Sequence, residues 1–195
     1  MELVLKEIVT AAEVLLHGRP ELINAVHRAA AGLPGEGFDI PASEWESLAR
    51  HELNHLLTDP NPFDDGPAVA ACLDWCSDPQ DFRHNLLALS SHPESLSWEW
   101  FPDFVSRLRE AGSTGGDVVT KLVGEVGDRC LRIGFALIEL TEFKSSDDDD
   151  MYELLFIKAG AVDQLDAMLT AVGRRLLLCH GTAASALDLN DARTR

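Results

Sequence analysis

The residues best spaced for chemistry in this chain are two histidines four positions apart with a glutamate between them, His51-Glu52-Leu53-Asn54-His55. On a helix, positions i and i+4 share a face. Both imidazoles can therefore hold one metal ion while the carboxylate activates a metal-bound water. That chemistry is zinc-dependent hydrolysis, with His51 and His55 as ligands and Glu52 as base. No downstream motif marks a third ligand, and Asp74, Asp81, His84 and Glu94 are the candidates. With seven histidines in the chain, a chance pair on a partly solvated helix is the competing account. A second zinc arrangement can be drawn from Cys72, Cys76, Cys179 and His180, although cysteines on apolar helix faces are more often core residues.

The helix that must carry the motif has its own signals. Ser43 with Glu46 three residues on reads as a capping box, and Thr58-Asp59-Pro60 ends the helix. On a helical wheel, Trp45, Leu48, Ala49, Leu53 and Leu56 form the apolar stripe. Glu52 falls inside that stripe, while His51 and His55 lie along its border. The ten residues Leu48 to Leu57 resemble the metal helix of the zinc peptidases and are similar to that of the peptide deformylases. The resemblance implies zinc at His51 and His55 and a helix lying beneath a sheet edge, yet no strand pattern precedes His51. Arg50 followed by His55 resembles the R-x(4 to 6)-H signature of the all-helical HEPN ribonucleases, which implies RNA cleavage at a dimer interface.

Charge points elsewhere. The chain has 33 acidic and 16 basic residues and a formal charge of −17. Between Pro34 and Asp81 stand eleven acids and one base, Arg50, a balance of −10. Such a surface repels phosphates and anionic lipid and attracts basic partners. Within this segment, Glu44, Glu46, Asp59, Asp64, Asp65 and Asp74 are candidate contact residues. Trp98 and Trp100, from the stretch Trp98-Glu-Trp-Phe-Pro-Asp-Phe104, are candidate aromatic anchors. The competing account makes those aromatics core plugs.

Periodicity predicts an all-α fold in 195 residues. About six short helices are expected over 1–112: one before Gly18, one from Pro20 to Ala31, Ser43 to Thr58, Pro67 to Cys76, Gln80 to Ser90, and Pro102 to Ala111. A long antiparallel helical hairpin is expected over 113–187, packed on the same core, with residues 188–195 as a frayed tail. Its first helix rests on the spacing of Val119, Leu122, Val126, Cys130, Ile133, Leu137 and Leu140. A rival reading makes Arg132–Phe143 and Met151–Lys158 a β-hairpin around the polar run Lys144 to Asp150.

No apolar stretch approaches the roughly 20 residues that span a bilayer, and the acidic N-terminus lacks the basic start of a signal peptide. A cytoplasmic protein with reduced thiols is expected. The leading functional expectation is an acidic, non-catalytic binding or inhibitor protein of the immunity, antitoxin or phage-inhibitor kind. It would dock on a basic protein surface without cofactor, contacting neither nucleic acid nor membrane. The zinc hydrolase is the alternative and the HEPN-like ribonuclease the third; the oligomeric state is left open.

Overall fold

The computed structural model describes residues 2–16, 19–32, 41–58, 68–142, 151–169 and 174–181. It opens with α1 (Glu2–Leu15), α2 (Pro20–Ala30) and α3 (Trp45–Thr58). A short strand β1 (Ala71–Asp74) follows, then α4 (Pro79–Leu87), α5 (Phe101–Glu110) and α6 (Gly116–Arg132). The C-terminal part is β2 (Phe135–Glu142), β3 (Met151–Lys158), α7 (Val162–Leu169) and β4 (Arg174–Cys179). No helix among the described residues is long and apolar enough to cross a membrane.

The helix starts follow from local chemistry. Pro20, Pro79 and Pro102 each sit in the first turn of a helix, where the missing N–H costs nothing. Asp78 caps α4 by accepting from the Gln80 N–H at 2.8 Å. The capping box expected from Ser43 and Glu46 is not formed. Ser43 lies in a 3₁₀ turn, Ala42–Glu44, that leads into α3, and Glu46 instead pairs with Arg50 at 2.6 Å.

The all-α expectation is overturned by a four-stranded antiparallel sheet of order β1-β3-β2-β4. The segment expected as a helix at 67–76 contains β1, which pairs with β3. The long helical hairpin does not form either. Its first helix ends at Arg132, and Gly134 with φ +79 turns the chain into β2. Only glycine enters that left-handed region without strain. The second long helix is replaced by β3, α7 and β4. The β-hairpin reading of this region matches the pairing of β2 with β3, in which Ala136 faces Ile157 and Ile138 faces Leu155.

Both faces of the central strands β2 and β3 are largely buried, which explains why they look helical in sequence. Ala136, Ile138, Leu140, Leu155, Ile157 and Leu176 point into one core, shared with α1, α2, α3 and α7. Leu137, Leu154, Phe156 and Cys179 point into the other, shared with α4, α5 and α6. A strand buried on both sides reads as a continuous apolar run rather than an alternating one. Burying each large side chain such as Phe82, Phe101 or Phe156 stabilises the fold by about 2 kcal/mol before its ordering cost. Beyond the first residue of β1 the ladder is extended by a side chain, because the Ser91 hydroxyl accepts from the buried Phe156 N–H at 3.2 Å.

Candidate functional site

The α3 motif comes first. Ala49, Leu53 and Leu56 are buried against α1 and α2, as the apolar stripe requires. His51 and His55 are exposed one turn apart, and Glu52 is half-buried. Among the described residues no group of three His, Cys, Asp or Glu side chains is placed to hold a metal ion. Arg50, the first residue of the ribonuclease-like signature, is engaged by Glu46 on its own helix.

The four-ligand zinc arrangement is ruled out by the sheet order. Cys72 lies on β1 and Cys76 just after it, whereas Cys179 lies on β4 at the opposite edge. Three strand spacings, about 14 Å, separate those edges. Cys179 is also buried, and its thiol is pushed well up by desolvation, with Glu139 and Cys130 adding to the effect. Burial raises the Cys130 thiol to about 12. Neither forms a thiolate at neutral pH.

Of the expected anchors, Trp98 is a core residue, only 8% exposed, whose indole N–H donates to His92 Nε2 at 3.1 Å. Burial lowers the His92 pKa, so its Nε2 stays an acceptor. Trp100 is half-buried, donates to the Ser97 carbonyl at 2.7 Å, and carries the Arg129 guanidinium 4.1 Å from its ring centre. The 98–104 stretch thus plugs the core under α4, α5 and α6. Of the expected acidic contacts, Glu44 and Asp74 are exposed and Glu46 is half-buried and paired, while Asp59, Asp64 and Asp65 lie outside the described residues.

Among the described residues the large aromatic that faces solvent is instead Trp75, at 46% exposure. Short β1 ends at Asp74, and a turn closed by Ser77 N–H to the Asp74 carbonyl at 3.0 Å reverses the chain into α4. Trp75 sits in this turn with its ring against the backbone of Gly116, where any Cβ would overlap it. Asp74 is tied down by the turn. Its carboxylate accepts from the Cys76 thiol at 2.9 Å and the Cys76 N–H at 2.8 Å, and these bonds hold its pKa below the usual range.

Near Trp75 in the chain, Asp74, Asp78 and Asp81 are all exposed. Asp117, beside Gly116 at the start of α6, is paired with Lys121 at 2.8 Å. Opposite Asp74 in the ladder stands Met151, at 50% exposure. One signal could have found this turn: Trp75 is an aromatic with Asp74 before it and Asp78 and Asp81 after it, inside the most acidic segment. The density of aromatics at 98–104 drew the expectation away from it.

The described elements thus define a helix-clad antiparallel α/β protein, with an acidic, aromatic-bearing turn at one sheet edge. A family model described as a domain of unknown function, DUF6630, matches residues 21–179, from α2 through the last residue of β4, and the chain belongs to that family. No curated protein and no solved structure matches it.

Proposed function

We propose that this protein is an acidic binding protein that docks on a basic protein surface and acts by occupying it rather than by catalysis. One observation carries the reading: in the most acidic segment, Glu44, Asp74, Asp78 and Asp81 face solvent, while Ala49, Leu53, Leu56 and Leu73 turn inward. Folding therefore leaves these four charges outside. Charge complementarity of this kind speeds encounter with a basic partner and discriminates against acidic ones.

The test is affinity capture from native extract at 50 and 500 mM salt, followed by recombinant reconstitution of the captured partner. The reading expects a basic protein in a defined 1:1 complex that salt weakens. A partner with an acidic surface, or a complex indifferent to salt, contradicts it.

A zinc-dependent hydrolase remains a second reading on one specific observation, the exposure of His51 and His55 one turn apart on α3. It requires a third ligand to join them.

A further inference from the structure

The protein repeatedly places a cation on an aromatic ring. Arg83 lies 6.0 Å from the centre of Trp98 and 5.9 Å from that of Phe101. Arg107 lies 5.6 Å from Phe104, Arg129 4.1 Å from Trp100, and Lys158 3.7 Å from Phe135. Trp75 differs. Among the described residues no cation lies over its ring, although it is the most exposed of the large aromatic side chains and has three exposed acids within six residues.

Its surroundings are preformed. Gly116 seats the ring, the bonds from Cys76 fix the Asp74 carboxylate, and Asp78 is fixed as the cap of α4. The neighbouring strand β1 is at the end of the sheet order. It pairs with β3 on one side, and no described strand pairs with its other side. Cys72 and Asp74 on one face of β1 are exposed, whereas Ala71 and Leu73 on the other are buried.

The geometry points to the β1 edge and the Trp75 turn as the docking surface for an arginine-bearing extended segment of a partner protein. The inference rests on the binding-protein reading above and names its surface and partner chemistry. An extended segment can add to the edge of β1 through backbone hydrogen bonds, with alternate side chains on each face. Charge complementarity selects basic side chains beside Asp74, Asp78 and Asp81. Arginine is favoured over lysine because a planar, weakly hydrated guanidinium both stacks on an indole and pairs with a carboxylate.

The experiment is titration of the full-length protein with two labelled eight-residue peptides, alternating arginine with valine or lysine with valine, at 50 mM salt. Wild type, Trp75→Ala and the triple variant Asp74→Asn, Asp78→Asn, Asp81→Asn are compared. Asparagine keeps the turn and cap hydrogen bonds, so the triple variant removes charge and little else.

The surface predicts tighter binding of the arginine peptide by about two- to fivefold, the range an exposed cation–π contact supplies. Trp75→Ala should abolish that preference, and the triple variant should weaken both peptides. Equal binding by wild type and both variants overturns the surface while leaving an acid-driven binder standing. Absence of binding to either peptide by any form overturns the surface, and failure of a salt-sensitive basic partner to appear in extract overturns the broader reading separately. Concentration-dependent dimerisation in sedimentation that Trp75→Ala removes overturns the inference in favour of a second copy of this chain.

Discussion

Gly127 on α6 rests against the carbonyl of Cys179 on β4, so closely that a Cβ at position 127 would overlap that oxygen and crowd the His180 nitrogen. The contact lets a helix lie directly on the edge strand. It also fixes the sign of a substitution. In an exposed helix Gly127→Ala would gain roughly 1 kcal/mol from helix propensity, but here the methyl group meets backbone that cannot swing away. The variant is expected to lose about 1–3 kcal/mol, as overpacked cores do. Denaturant unfolding measures it, and a stabilised variant would show that α6 does not sit this close.

Glu139 on β2 is held mostly out of water opposite Leu154 and Leu177. Desolvation first, and the charge of Glu153 second, raise its pKa from 4.5 to about 7. Above pH 4.5 an unfolded chain releases this proton while the folded protein keeps it. Stability is therefore lost as pH rises from about 4.5 to about 7, and the loss is constant beyond that. The separation of the two values converts to about 3 kcal/mol. Glu139→Gln mimics the protonated form, so it should be more stable than wild type at pH 8 by up to about that amount. At pH 4 the two should be equal. Urea midpoints at the two pH values check this, and a variant equally destabilised at both would show that the carboxylate is paired.

The two tryptophan environments predict opposite behaviour. Trp98→Ala empties a core site under His92 and Phe101 and should cost about 3–5 kcal/mol. Trp75→Ala removes a half-exposed ring from Gly116 and should change stability by about 1 kcal/mol or less. Thermal unfolding of both variants decides whether Trp75 is placed for folding or for contact.

How the sequence foreshadowed these environments depends on which signals are local. Pro20, Pro79 and Pro102 act within one helical turn, and the helices they start are near their expected positions. Leu137 and Leu140 continue the three-and-four spacing of α6 past Gly134, although that glycine turns the chain into a strand buried on both faces. Periodicity cannot separate a helix from such a strand. The β-hairpin signal was present in Ile138, Phe156 and Ile157 but was outweighed. At the candidate site the acids of the 34–81 segment were legible as charge. Which tryptophan faces water was not, because it depends on α6 presenting Gly116 to the turn after β1, a contact between segments about 40 residues apart in the chain.

The α3 histidines allow a clean check of the second reading. A non-catalytic binder predicts less than stoichiometric zinc in the purified protein, unchanged in the His51→Ala, His55→Ala double variant. Stoichiometric zinc that the double variant loses, measured by elemental analysis, would establish a metal site on α3.

The central claim is that exposed acids steer a basic partner to this protein, and the association rate measures steering most directly. Stopped-flow mixing with the arginine peptide over 20 to 500 mM salt should show a rate constant that falls by at least about tenfold across the range. The Asp74→Asn, Asp78→Asn, Asp81→Asn variant should begin lower and fall less. A rate constant that ignores salt, or a triple variant indistinguishable from wild type at every salt concentration, would contradict the account.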